Sequence, residues 1–319
     1  MNRRRFLHAG VAAAGAAQIG CSSREPLPQG PPGRSPVAIL KADSYSADLA
    51  GLLRRGATAC GLDVKGKRVL LKPNLVEFAS NSAINTHVAV IAAAVELFRS
   101  LGAAEVLIGE GPGHRRDTIA LAEEADYRRG VQKFDSLFTD LNRDDVSPLR
   151  GFADLPQIYL PDTVLRADLI VSLAKMKTHH WAGATLSMKN FFGLVPGSIY
   201  GWPKNQLHQI GIDRSIAELH RLLPRSFAIV DGIVGMEGNG PIQGTPKKAG
   251  VLVMGADLVS VDATCCRIMG IDPELIQYLR LTAGAGHVQT DRIDQRAESI
   301  ELVQSNFALI PSSEGLRQS

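Results

Sequence analysis

Short apolar runs, each stopped by a charged, amide or glycine residue, alternate along this chain with segments of helical period. Val37-Ala38-Ile39-Leu40 is the first run, and Lys67 to Leu71 the second, stopped by Lys72-Pro73-Asn74. Glu105 to Ile108 runs into Gly109-Glu110-Gly111-Pro112-Gly113. Ala167 to Leu173 leads to Lys175, Phe227 to Val230 to Asp231-Gly232, and Gly250 to Met254 to Ala256-Asp257. Runs of this length without strict alternation fit strands buried on both faces. Between them, helices are predicted near 46–60, with Leu49, Leu52 and Leu53 on one stripe, and near 87–101 after the candidate caps Asn85 and Thr86. Further helices are predicted near 213–223 and 262–269, and one over 116–130. This order predicts an α/β chain: a Rossmann-like three-layer fold with a mostly parallel sheet and long loops over the C-terminal strand edge.

The N-terminus has a different character. Asn2-Arg3-Arg4-Arg5-Phe6-Leu7 precedes an Ala- and Gly-rich apolar stretch that ends at Ile19-Gly20-Cys21. A twin-arginine export signal over 1–21 is expected, handed to the twin-arginine export machinery, with Cys21 a candidate site for a lipid anchor. The apolar part is too short to span a bilayer. Residues 22–35, rich in Pro, Gly and Ser, form an expected linker. One domain is expected over 36–310, with a small insertion at 114–160. Periplasm or cell envelope is the expected location.

Net charge is +3, with no long basic stripe, so no nucleic acid partner is expected. The cysteines Cys60, Cys265 and Cys266 are expected to be buried thiols, and their spacing does not suit an iron–sulfur cluster. Neither Gly109 to Gly113 nor Met236 to Gly244 completes a dinucleotide or P-loop fingerprint, so no NAD is expected.

The residues at the strand ends carry the candidate chemistry, because open parallel sheets bind ligands outside their carboxyl ends. Lys72 and Asn74 suit an anion. Strand alternation places Lys175, Lys177 and His179 on one side, a cationic group beside an imidazole. Lys189 and Asn190, in a loop predicted over 182–208, complete the substrate-binding set Lys72, Asn74, Lys175, Lys189 and Asn190. His179, Lys177, Asp231 and Glu110 are the candidate catalytic residues. His179, His208 and Asp231 are candidate ligands for a divalent metal such as zinc, iron or nickel, while a direct substrate contact by the histidines stays open beside it. Asp257 is placed near the same rim.

Leu71-Lys72-Pro73-Asn74, Lys175-Met176-Lys177-Thr178-His179, Lys189-Asn190-Phe191-Phe192-Gly193, Asp231-Gly232 through Gly244, and Asp257 with Asp262-Ala263 occur together in order. In this the chain resembles the domain-of-unknown-function family 362, over about Val37 to Gly270. The resemblance implies an α/β domain with a polar cleft. Some members of that family resemble fusions to ferredoxin-like cluster domains, and this chain lacks such a cysteine array. A more distant similarity to the nickel-dependent lactate racemase fold implies no ligand residue by residue. The function expected is an exported enzyme acting on a small anionic, oxygen-rich substrate by proton transfer or metal-assisted chemistry. The alternative is a noncatalytic metal- or anion-binding envelope lipoprotein.

Overall fold

The computed structural model describes residues 27–113, 117–223 and 225–318. The leader and its Cys21 lie outside the described residues, as do residues 22–26 of the linker. The strands are β1 (Ser35–Lys41), β2 (Arg68–Pro73), β3 (Glu105–Glu110), β4 (Phe138–Asp140), β5 (Val146–Phe152), β6 (Leu155–Pro161), β7 (Leu169–His179), β8 (Gly183–Thr185), β9 (Ser226–Glu237), β10 (Thr245–Lys247), β11 (Val251–Gly255) and β12 (Ile293–Ala297).

The main sheet runs β12-β1-β11-β9-β7-β2-β3-β4, with β8 added to β7 and β10 to β9. Strands β9, β7, β2, β3 and β4 run parallel to one another, and β11 is antiparallel to both β9 and β1. The fold is therefore α/β with a largely parallel, mixed sheet. Strand β7 is buried along all eleven residues, as expected of a central parallel strand covered on both faces. Alternate residues feed two separate cores. Val69 and Leu71 join a core with Leu53, Ile91 and Phe98, whereas Leu70 joins one with Met176, Phe191 and Leu258.

Local signals explain the helices that flank the sheet. Asp48 caps Leu49–Ala59 through the Gly51 N–H, and Asp257 caps Leu258–Ile268 through Ser260 N–H. The helix predicted over 262–269 thus starts a turn earlier, at the cap. The single helix predicted over 116–130 is two, Thr118–Glu124 and Tyr127–Gly130, because Asp126 takes a left-handed conformation at φ 61°. The predicted loop over 182–208 is also structured. It holds β8, a 3-10 helix Lys189–Leu194 and the short helices Gly197–Tyr200 and Asn205–Ile210. Within 114–160, β5 and β6 form a separate two-stranded hairpin.

Two placements differ from the sequence reading. Asp231 does not end its strand, since β9 continues to Glu237. Asp257 follows β11, which runs against β9, so it lies at the opposite sheet edge from the carboxyl ends of β2, β3 and β7. There its carboxylate accepts from Ser35 Oγ, Ser260 Oγ and His287 N. It is a tether between β1 and the helix it caps.

Candidate functional site

A cavity of about 570 Å³ opens beyond the carboxyl ends of β2, β3 and β7. Its wall comes from three stretches that the sheet brings together: the ends of those strands, the segment 185–208, and the loop 239–243. Of the residues predicted for the site, Lys72, Asn74, Glu110, Lys177, His179, Lys189, Asn190 and His208 all line it. Lys175 and Asp231 are not among its lining residues.

The reason is a bulge. Lys175 pairs with Asp231 and Lys177 with Met236, so four residues of β9 stand opposite one of β7. The simple alternation that put Lys175, Lys177 and His179 together is broken at this point. Lys175 Nζ donates to Asp231 Oδ2 at 2.7 Å, to Tyr45 Oη at 3.0 Å and to Val234 O at 3.0 Å. Asp231 also accepts from Tyr45 Oη, His87 N and Ile233 N. This network is closed on itself and buried, with Lys175 2% and Asp231 0% exposed. Burial, helped by the Asp231 charge, holds the Tyr45 hydroxyl far above its ordinary range.

Lys72 and Glu110 form a second buried pair, 2.6 Å apart. Lys72 Nζ also donates to Asn190 Oδ1 at 2.8 Å and Pro73 O at 2.7 Å. Glu110 accepts from Leu75 N at 3.0 Å and Gly111 N at 2.9 Å. Asn190 Nδ2 returns to Lys72 O and Ser172 Oγ, so its amide is spent on the scaffold. Burial pulls the Lys72 amine down and pushes the Glu110 carboxyl up, and each partner's charge offsets part of that effect. Gly193 is needed beside them, because a Cβ there would fall on Glu110 Oε1 and the end of Lys72.

Around this pair the charge balance is lopsided. Among the described residues the lining holds four lysines, Lys72, Lys177, Lys189 and Lys204, against one carboxylate, Glu110. Lys177 is fully buried and donates to the carbonyls of Ile84 and Pro241. Burial and the neighbouring lysines push it well below its ordinary value. Burial lowers Lys189 and Lys204 each to about 7, with Lys72 adding to the effect on both and Lys204 adding to it on Lys189. Lys204 was missed in the sequence reading, although it follows a proline and precedes an asparagine, with the same residue types as the Lys72-Pro73-Asn74 turn. Its left-handed backbone at φ 70° carries the side chain into the cavity wall, where it donates to Gly111 O and Val195 O.

Two lining side-chain oxygens, Asn74 Oδ1 and Thr185 Oγ1, are buried with no hydrogen-bond partner among the described residues. Such groups cost about 1–3 kcal/mol each when left unpaired. Their placement on a cavity wall fits contact with a donor on a bound molecule.

The histidines are fixed in opposite tautomers. His179 Nδ1 accepts from Trp181 N at 3.1 Å and Ala182 N at 3.2 Å. The proton of the neutral ring must then sit on Nε2. Burial, with nearby Lys189, drops His179 to about 2, so it is neutral at working pH. His208 Nδ1 lies 3.1 Å from Lys204 O, an acceptor, so Nδ1 carries the proton and Nε2 keeps its lone pair. Burial lowers His208 as well. Its ring is held edge-on between Trp181 and Phe192, both with centroids 5.7 Å away. Trp181 is 66% exposed and forms the rim.

These tautomers bear on the metal reading. The predicted ligand trio does not converge, because Asp231 belongs to the Lys175 network. His179 directs an N–H, not a lone pair, from Nε2. Among the described residues, no group of three or more His, Cys, Asp or Glu side chains is placed to hold a metal ion. Among the described residues the donor set does not fit a divalent metal. Cys265 and Cys266 are buried thiols, raised by burial and away from the cavity.

Asp262 acts on the site from outside. Buried on its helix, it accepts from Ser187 Oγ at 2.5 Å, Ser187 N at 2.8 Å and Met188 N at 3.1 Å. It thereby fixes the backbone immediately before Lys189 and Asn190. Burial raises it to about 7.

The known proteins most similar to this chain include a thylakoid-associated protein of Synechocystis sp., 29% identical over 257 residues, which cover 75% of this chain and 76% of that protein. Among solved structures, the lactate racemase apoprotein from Thermoanaerobacterium thermosaccharolyticum aligns at 12% identity with a TM-score of 0.49, covering 76% of this chain and 61% of that one. A Thermotoga maritima protein aligns at 16% identity with a TM-score of 0.35, covering 61% and 53%. The chain spans less than two thirds of the length of either structure. The family model described as "Domain of unknown function (DUF362)" matches residues 69–267, more than half of the sequence, and the chain belongs to that family.

Proposed function

We propose that this protein is an exported enzyme that moves a proton on a small anionic, oxygen-rich substrate. The excess of lysine over carboxylate in one cavity carries this reading. Lys177, Lys189 and Lys204 attract and hold the anion, where low dielectric makes each charge count for more than in water. Asn74 Oδ1 and Thr185 Oγ1 accept from a hydroxyl or similar donor on the substrate. His208, with its free Nε2, is the base. His179, a neutral N–H donor, stabilises the oxygen on which negative charge builds as a C–H proton next to a carboxylate leaves. A neutral histidine suits this electrophilic role because it need not lose a proton to act. Glu110 holds Lys72 and the turn at Leu75 and Gly111, and so positions the wall of the site.

Export rests on the Arg3-Arg4-Arg5 leader. The relative's thylakoid association agrees with an envelope location, and no helix among the described residues is long and apolar enough to cross a membrane.

Hydrogen–deuterium exchange at carbon provides the assay. Small hydroxy and dicarboxylic acids are incubated with the protein in heavy water and followed by proton NMR. His208→Ala is expected to slow exchange by about 10²–10⁴-fold, the usual loss on removing a general base. His179→Phe is expected to slow it while leaving the pH profile in place, since His179 does not titrate in the working range. Exchange that proceeds equally in both variants contradicts these roles. Tight anion binding with no exchange across the panel would instead favour a noncatalytic binding protein.

A further inference from the structure

The cavity lysines differ in what their nitrogens touch. Lys72 is bound to Glu110, Asn190 and Pro73, Lys177 to two carbonyls, and Lys204 to the carbonyls of Gly111 and Val195. Among the described residues, Lys189 Nζ donates to no carboxylate, carbonyl or amide, and its contact is the Phe192 ring, with the centroid 3.5 Å away. Phe192 shields the nitrogen on one side and offers it no acceptor. The nitrogens of Lys72 and Lys204 lie near enough for their charges to disfavour a further cation. Lys204 is lowered by a similar amount, yet its N–H groups donate to two carbonyls that the nitrogen would have to leave. A half-buried lysine whose amine meets no acceptor among the described residues, beside other cations and lining the cavity, has the surroundings of a nucleophilic lysine.

We propose that Lys189 forms an imine with a small oxo acid, an aldehyde or ketone that also carries a carboxylate. This rests on the anion-site reading above and deepens it, because Lys177 and Lys204 would hold the carboxylate while Lys189 meets the carbonyl. The neutral Nζ attacks the carbonyl carbon. A C–N bond forms, the π electrons move to oxygen, and a proton passes from nitrogen to that oxygen. The carbinolamine then loses water: solvent supplies a second proton to the oxygen, the C–O bond breaks with its electron pair on the departing water, and the nitrogen lone pair forms the C=N bond of a protonated imine. His179 Nε2–H is suited to hydrogen-bond that oxygen. Once formed, the protonated imine draws electrons from the adjacent carbon and acidifies its C–H for removal by His208. No oxidant or metal is required.

Reductive trapping tests this on the folded full chain. Pyruvate or glyoxylate is added with sodium borohydride, and labelled peptides are located by mass spectrometry. The expected result is one adduct, on Lys189, dependent on both oxo acid and reductant and suppressed by oxalate. With the oxo acid kept saturating at each pH, labelling should increase from pH 6 to pH 8 as the amine loses its proton, with the midpoint near about 7. Lys189→Arg keeps the positive charge and should lower labelling at least about tenfold, because guanidinium is not nucleophilic. Site occupancy in the unsubstituted protein decides the matter if that variant does not fold. Adducts spread evenly over Lys177, Lys204 and surface lysines overturn the proposal. If oxalate binds by calorimetry and no adduct forms, imine formation is wrong and the anion site stands. If oxalate does not bind either, both readings fall.

Discussion

Asp231→Ala is expected to lower folding stability by about 3–5 kcal/mol, the range for removing one partner from a buried ion pair. That is a large share of the roughly 5–15 kcal/mol that holds a typical domain folded. The carboxylate receives Lys175 at 2.7 Å, Tyr45 at 3.1 Å, His87 N at 3.1 Å and Ile233 N at 3.2 Å. Without it the Lys175 ammonium is left buried beside donors that have lost their acceptor, and the β9 bulge loses its pin. Guanidinium denaturation followed by circular dichroism measures the loss. The double variant Asp231→Leu with Lys175→Met should recover most of it, since neither charge then remains. It should also bind small anions as the parent protein does, because neither residue lines the cavity. A loss below about 1 kcal/mol for Asp231→Ala, the range of an exposed pair, would contradict this account. Loss of anion binding in the folded double variant would return Asp231 to the site.

Glu110→Gln is expected to push stability and affinity in opposite directions. It removes the cavity's single carboxylate and leaves Lys72, 1% exposed, without a counter-charge. Destabilisation of about 3 kcal/mol follows, somewhat cushioned because the amide oxygen can still accept from Leu75 or Gly111. The same change makes the cavity more positive. At an effective dielectric near 20, deleting one negative charge several ångströms from a bound anion is worth about 1–2 kcal/mol, or roughly tenfold in affinity. Oxalate should therefore bind tighter to a less stable protein. Weaker binding in a folded Glu110→Gln variant would mean that Glu110 contacts the ligand through a donor, which would suit a substrate hydroxyl better than a carboxylate.

Much of the site was legible because strand ends are legible. Lys72, Asn74, Glu110, Lys177 and His179 all follow apolar runs, and a parallel sheet carries such residues to one rim. Reading Lys175 with Lys177 failed for a specific reason. Alternation holds only while a strand stays in register, and the β9 bulge breaks register between them. No local pattern marked it apart from Gly232 and Gly235. Asp257 was misplaced because an apolar run does not disclose its direction, and β11 runs against its neighbour β9. Lys204 reaches the site through a left-handed backbone after Pro203, a conformation that composition does not announce. The tautomers of His179 and His208 depend on backbone groups of Trp181, Ala182 and Lys204. They favour His208 over His179 as the base, and no spacing rule contains that information.

The central claim is that lysines lowered by desolvation and by one another's charge make this cavity an anion site, and its pH dependence tests it most directly. Lys189 and Lys204 are held near 7, below the ordinary lysine range. Below that value both carry the charge that an anion needs, and above it both lose it, so affinity must fall as pH rises through neutrality. Calorimetric titration with oxalate at fixed ionic strength should give dissociation constants at least about tenfold weaker at pH 8.5 than at pH 6, with proton uptake on binding near pH 7.5. An affinity that is flat across this range, without proton uptake, would contradict the account.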